Sequence, residues 1–237
     1  MQILINISLI LLGYLIGSIP SGLIIVKLKT GKDIRQVESG RTGGTNALRA
    51  AGFWAGLLTA LLDILKGALA VWLVQWFGHG DQWVQALAPI AAILGHNYSL
   101  YLPDFDENGR FLRLRGGAGG APALGGAIGL WMPSVFIILP LGALVFFSLG
   151  YASITTLSVA FFAVVVFAVR LAVHAPGANL ADVVYGIVAL LLLAWALRPN
   201  IKKLFKGTER VVNISLHGRI KAKKDLRDAQ EALEEVE

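Results

Sequence analysis

Residues 53–77 read FWAGLLTALLDILKGALAVWLVQWF, and only Asp63 and Lys66 in that run can carry a charge. A bilayer-spanning helix needs roughly 20 predominantly apolar residues, and this run supplies them without a break. The rest of the chain has the same character. Of its 237 residues, 56% are hydrophobic and 15% charged, with a mean hydropathy of +0.67. Soluble domains average about 45–50% apolar and about 25% charged residues. The composition therefore describes a polytopic membrane protein rather than a soluble one with a large core.

Working outward, further apolar runs lie at about 3–27, 83–101, 117–131, 133–149, 152–172 and 181–197. The expected fold is an all-α integral membrane protein of seven transmembrane helices. Gly13, Gly17 and Pro20 interrupt the first run, which is tolerable where neighbouring helices repack the backbone. The fourth and fifth are short enough to form one bent hairpin around Trp131-Met132-Pro133. The N-terminus does not read as a cleavable signal: it lacks a basic leader, and its apolar run from Ile3 to Val26 is too long.

Charge sets the orientation. All but Lys66 and Arg170 of the 21 basic residues fall after the first, third and seventh runs. The positive-inside rule then places those loops in the cytoplasm, with the N-terminus outside and the C-terminus inside. The net charge of +6 lies at membrane edges and is not the footprint of a nucleic-acid partner. With no cysteine, disulfides, thiolate catalysis and Cys-type metal sites are excluded. No metal site and no cofactor are implied, and the oligomeric state is not encoded in any visible pattern. The chain divides into a transmembrane domain over 1–210 and a charged cytoplasmic tail over 211–237, read as a solvated helix in which Lys224 with Asp228 and Arg227 with Glu231 have helical i,i+4 spacing.

Every polar cluster falls on the expected cytoplasmic face. Residues 38–49 read Glu-Ser-Gly-Arg-Thr-Gly-Gly-Thr-Asn-Ala-Leu-Arg. Glycines let backbone N–H groups converge on an anion, and hydroxyls, an amide and two guanidinium groups add donors. Gly95-His96-Asn97 ends the third run, and Arg115-Gly116-Gly117-Ala118-Gly119-Gly120-Ala121-Pro122 opens the fourth. Such a glycine strip is equally suited to holding phosphate at a helix N-terminus and to close helix packing. Asp63 and Lys66 share a helix face inside the bilayer, as a structural ion pair or as functional groups. Ser153, Thr155 and Thr156 open the sixth run, and Asn200 and Glu209 stand among basic residues after the seventh. Asp104 to Gly109 opens like a calcium loop, but Arg115 stands where the bidentate Glu is needed.

In this order, these clusters resemble the acyl-phosphate:glycerol-3-phosphate acyltransferase family of bacterial membranes (PlsY), over most of residues 8–210. The first helix is similar to that family's G-x-x-x-G-S-I-P-x-[SG] in Gly13, Gly17, Ser18, Pro20 and Gly22. The 38–49 loop resembles G-S-G-N-x-G-x-T-N-x-x-R, and Asp63, Lys66 and Gly67 match D-x-x-K-G. Gly95-His96, Gly150 to Thr156, and Leu197 to Glu209 resemble the remaining motifs. The family's G-G-K-G-V-A-T is altered: Ala118 replaces the lysine and Pro122 the threonine. Arg41 replaces an Asn and Leu197 a His, while the loop from Pro103 to Arg113 is longer. Arg41, Arg113 and Arg115 are the candidates to supply the missing charge.

The resemblance implies transfer of a fatty acyl chain from acyl-phosphate to the 1-hydroxyl of glycerol 3-phosphate, at the cytoplasmic face of the bacterial inner membrane. It implies that Ser39, Gly40, Thr45, Asn46 and Ser153 surround the donor phosphate and that His96 holds the reacting centre. Arg49, Lys66, Asn200 and Glu209 would bind the acceptor, with Gly116 and Gly117 also binding substrate. The other acyltransferase design, H-x4-D, is absent: the fifth residue after each His is Val84, Tyr101, Asn179 or Ala222. The alternatives are a divergent homologue that binds phosphorylated lipid intermediates without turnover, and a small anion transporter.

Overall fold

A computed structural model gives the fold for residues 1–234. Helices account for most of it: α1 (Gln2–Ser18), α2 (Ser21–Thr30), α3 (Gly44–Ala51), α4 (Phe53–Phe77) and α5 (Gln82–Asn97) come first. A two-stranded antiparallel hairpin, β1 (Pro103–Phe105) and β2 (Phe111–Leu114), follows. The chain continues as α6 (Gly120–Leu130), α7 (Val135–Leu149), α8 (Ala152–Ala172), α9 (Leu180–Ala196), α10 (Arg198–Phe205) and α11 (Leu216–Glu234).

Among the described residues, four segments are long and apolar enough to cross a membrane: Gln2–Thr30, Phe53–Phe77, Met132–Leu149 and Ala152–Ala172. A fifth arises if α9 and α10, bent by 66° at their junction, count as one. The expected runs at 83–101 and 117–131 are shorter as helices, at 16 and 11 residues. The first loses its end because Ser99 N–H bonds to Arg115 O and Arg115 N–H to Leu102 O, which turns the chain into the hairpin. The second begins only at Gly120, since Gly119 sits at φ +87° and caps it. A single 3-10 turn over Met132–Ser134 joins α6 to α7, so the expected bend around Pro133 is present.

Local chemistry explains the main breaks. Pro20 has no N–H to continue the ladder of α1, and the chain restarts as α2 at Ser21. The Asp81 carboxylate accepts from Trp83 N–H at 2.9 Å and Val84 N–H at 3.2 Å, capping α5. Asn179 caps α9 through Asp182 N–H at 3.0 Å.

Between lipid-facing helices the hydrophobic effect offers little, so close backbone contact must hold them together. A Cβ at Gly17 would overlap Ala92 O, and one at Gly95 would overlap Tyr14 O, which fixes α1 against α5. A Cβ at Gly67 would overlap Pro122 O, and one at Gly125 would overlap Ile64 O, which fixes α4 against α6. Tyr185, Phe167, Ile93 and Leu193 fill the space between α5, α8 and α9, and the Tyr185 hydroxyl donates to Ala123 O at 2.6 Å. Trp54, Leu61, Phe136, Leu144 and Leu191 point outward, as a lipid-facing shell requires.

The tail is helical from Leu216 to Glu234, and residues 235–237 lie outside the described region. Arg227 Nε meets Glu231 Oε1 at 3.4 Å as its spacing suggests. Asp228 lies 3.8 Å from Arg227 rather than pairing with Lys224. The root of the tail is docked: Val212 N–H bonds to Gly150 O, and Tyr151 pairs with Val211.

The α4–α6 contact gives a direct test. Gly67→Ala and Gly125→Ala should each destabilise the protein by about 1–3 kcal/mol, because the obstructing atoms are backbone oxygens that cannot swing away. Thermal unfolding in detergent would read this as a fall in Tm; no fall for either variant would disprove so close an approach.

Candidate active site

The polar residues gather where the 38–43 loop, the end of α5, the strip before α6, the start of α8 and the chain after α9 converge. Asn46, on α3, organises the loop. Its Nδ2 donates to Ile34 O at 3.2 Å, Val37 O at 3.0 Å and Arg41 O at 2.8 Å. The loop can then turn through Gly40 at φ +66°, while Thr42 N–H bonds to Gly116 O at 3.3 Å and joins it to the glycine strip. The Nδ2 donor of Asn46 is thus committed to its own loop, while its buried Oδ1 has no partner among the described residues.

The glycine strip packs on the end of α5. Gly117 N–H donates to His96 O at 2.8 Å, and a Cβ at Gly117 would overlap the His96 ring. A Cβ at Gly116 would overlap His96 O. Gly116 and Gly117 are thus closely packed, and both also border a basic cavity. His96 is buried, with Nδ1 3.7 Å from Asp63 Oδ1. Asp63 in turn pairs with Lys66 Nζ at 2.9 Å, and Lys66 reaches Ile19 O at 3.1 Å. Lys66 therefore faces the α1–α2 break.

A second network crosses the site. The Ser153 hydroxyl donates to Glu209 Oε2 at 2.6 Å, and Asn200 Nδ2 donates to Glu209 Oε1 at 3.2 Å. Arg41 joins it by donating from Nη2 to Asn200 Oδ1 at 3.4 Å and Ala196 O at 2.6 Å, and from Nη1 to Gly117 O at 2.9 Å. Burial pushes the Arg41 guanidinium below its ordinary pKa, opposed by the charge of Glu209. Arg49 is pushed the same way by burial and opposed by Glu38. Arg49 Nη2 lies 3.5 Å from Arg210 O, and the Arg210 guanidinium is paired with Glu38.

Two cavities meet here. One, of about 420 Å³, is a groove with apolar walls from Phe53, Leu57, Ile64, Leu139, Phe146 and Val159. Its polar end carries Ser39, Thr45, Asn46, His96, Ala118 and Ser153. The other, of about 390 Å³, is basic and polar, lined by Gly40, Arg113, Arg115, Lys203, Glu209 and Arg210. Ser39, Arg41, Arg49 and Asn200 line both.

The model of a family described as glycerol-3-phosphate acyltransferase matches residues 7–207. This chain belongs to that family. The glycerol-3-phosphate acyltransferase of a Thermus thermophilus strain is 37% identical over 201 residues, covering 85% of this chain and 92% of the relative. That of Synechococcus sp. CC9902 is 38% identical over 210 residues, covering 88% and 96%. A crystal structure of PlsY (YgiH), an integral membrane glycerol 3-phosphate acyltransferase in its glycerol 3-phosphate form, superposes with a TM-score of 0.73. It is 30% identical and covers 87% of this chain and 95% of its own. The lysophosphatidic acid form gives 0.70 at 28% identity, covering 88% of this chain and 96% of its own.

Of the residues given a catalytic or substrate-binding role from sequence, all but Lys66 line one cavity or both. Sequence reasoning gave Arg41 only a secondary place and Asn97 none. Asn97 is buried with neither amide atom partnered, and it borders the basic cavity. Its position directly after the Gly-His pair was the available signal.

The commitment of Asn46 is testable. Asn46→Asp would turn a carboxylate toward three carbonyl oxygens and should loosen the 34–43 loop more than Asn46→Ala does. Faster cleavage of this loop in limited proteolysis, with Asp worse than Ala, is the expected pattern.

Proposed function

We propose that this chain transfers a fatty acyl group from acyl-phosphate to the 1-hydroxyl of glycerol 3-phosphate, releasing lysophosphatidic acid and inorganic phosphate. The observation that carries this reading is the junction of an apolar groove with a basic cavity along Ser39, Arg41, Arg49 and Asn200. An acyl-phosphate needs both environments at once: hydrocarbon for its tail and cationic donors for its phosphate. A water-soluble phosphomonoester acceptor needs the basic cavity alone.

In this reading the acceptor hydroxyl oxygen attacks the acyl carbonyl carbon, and the carbon–oxygen bond to phosphate breaks. Phosphate leaves with the bonding pair, and the hydroxyl proton passes to His96 or to the departing phosphate. No covalent enzyme intermediate is required. His96 borders the polar end of the groove, within reach of that region but set beneath the Gly117 backbone. Ser153 and Asn200 hold both oxygens of Glu209, which favours a role for the carboxylate in shaping the acceptor pocket.

The chain would cross the membrane seven times, with its N-terminus outside and this site facing the cytoplasm. The distribution of basic residues supports that arrangement, with α5 and α6 crossing as short, protein-enclosed helices. Residues 211–237 would form a cytoplasmic appendage to the 1–210 catalytic domain.

Two experiments test the reading. Purified protein given palmitoyl-phosphate should release inorganic phosphate only when glycerol 3-phosphate is added, and His96→Gln should lower that rate if His96 takes the proton. No release from folded protein would favour the binding homologue instead, and release indifferent to the acceptor would mean hydrolysis of the donor rather than acyl transfer. Because the chain has no cysteine, single cysteines report topology cleanly. Gly31→Cys and Gly109→Cys should be labelled only from the cytoplasmic side, and Gly80→Cys and Gly177→Cys only from outside. The reverse pattern would overturn the orientation.

A further inference from the structure

Arg41 is held on every side by neutral groups. Its guanidinium donates to two backbone carbonyls and one side-chain amide, and among the described residues it forms no ion pair. Arg49 likewise forms no ion pair among the described residues, but it is held by a single long bond, to Arg210 O at 3.5 Å, whereas three other guanidiniums of the basic cavity are compensated. Arg113 lies 3.4 Å and Arg115 3.3 Å from Asp104 Oδ2, and Arg210 pairs with Glu38. The carboxylate of Glu209 acts on Arg41 only from beyond Asn200, without a direct ion pair, and it accepts hydrogen bonds from Ser153 and Asn200.

A half-buried charge without a counter-ion is costly, and the cost falls when an anion arrives. The three acceptors also fix the guanidinium plane, so its remaining edge is oriented before any ligand binds. That plane sits at the seam, since Arg41 lines both the groove and the basic cavity. It is bonded to Gly117 O, the carbonyl immediately before Ala118. No side chain longer than a methyl group comes from position 118, so the guanidinium occupies this part of the wall unopposed. Asn97, buried and unpartnered below the same strip, marks the wall as one that expects a polar guest.

We propose that Arg41 anchors a substrate phosphate at the seam, the phosphomonoester supplying the counter-charge that the protein withholds. The proposal rests on the acyl-transfer reading for the identity of the substrates. The ligand chemistry is a phosphate group, which both the donor and the acceptor carry.

The experiment measures KM for glycerol 3-phosphate at saturating palmitoyl-phosphate, and the converse, in wild type, Arg41→Gln, Arg41→Lys and the double variant Arg41→Gln with Ala118→Lys. Arg41→Gln should raise one or both KM values about ten- to hundredfold, with kcat changed much less. A rise in one arm identifies which phosphate is held, and a rise in both identifies a shared anchor. The lysine at 118 should recover most of the loss, because it returns a cation to the same wall. Unchanged KM values in Arg41→Gln, or no recovery in the folded double variant, would overturn the proposal.

If Arg41→Gln does not fold, Arg41→Lys decides, since it keeps the charge and loses the fork. A severalfold rise in KM is expected, and an unchanged KM refutes the anchor. A parallel measurement needs no turnover. Inorganic phosphate should raise the Tm of wild type and not that of Arg41→Gln, or do so less for Arg41→Lys. Equal shifts would refute the anchor, whereas wild-type protein stabilised by phosphate but lacking turnover would refute only the acyl-transfer reading.

Discussion

The ion pair of Asp63 and Lys66 holds the site's foundation together. Pro20 ends the ladder of α1 and leaves the Ile19 carbonyl facing the protein interior. Lys66 crosses from α4 to that carbonyl, and Asp63 neutralises the ammonium 2.9 Å away. The same carboxylate oxygen lies 3.7 Å from His96 on α5. Three segments distant in sequence are therefore referred to one buried point. Removing either charge would strand the other, a loss of about 3–5 kcal/mol for a buried pair. Ionisable groups in a membrane span have a structural use here even though neither cavity is lined by Lys66.

The glycines act on top of that foundation. They bring α1 onto α5 and α4 onto α6, and so bring the His96 ring directly under the Gly117 backbone. With its N–H bonded to His96 O, Gly117 is a lid on the histidine more than a cradle for an anion. On the proposed reaction, a substrate phosphate would be held instead by side chains along the rim, above all those on the 38–49 loop. That loop keeps its shape largely through Asn46, whose amide ties together the Ile34, Val37 and Arg41 carbonyls, the first two of which also accept backbone N–H bonds from Val37 and Gly40.

The apolar runs made the helices legible, because the bilayer demands about 20 residues whatever the tertiary packing. The motifs named most of the cavity lining, because the chemistry of phosphate restricts which residues serve. What escaped was whatever depends on partners distant in sequence. The helix of residues 83–101 stops early because hairpin residues take over the backbone bonds after Asn97, and the apolar count continues past that point. The segment from Asp104 to Gly109 reads as a calcium-loop decoy, yet Asp106 Oδ1 accepts from Asn108 N–H at 2.9 Å and Arg110 N–H at 2.8 Å, which makes it a hairpin turn. Arg41 reads as one of three candidates for the missing charge, level with Arg113 and Arg115, since its tie to Ala196 O spans 155 positions.

The two cavities differ in character for a reason that their seam makes plain. A groove that holds hydrocarbon cannot also hydrate a phosphate, and a basic pocket open to water cannot shelter an acyl chain. Residues that line both must tolerate both, and they do so by being restrained from within the protein. Asn200 is bonded to Glu209, Arg41 to two carbonyls and to Asn200, and Arg49 to Arg210 O. Their donors are oriented before a ligand binds, so binding need not supply that order. On the proposed reaction, the acyl carbonyl has to rest where the groove ends and the charge begins, which is the line these residues trace.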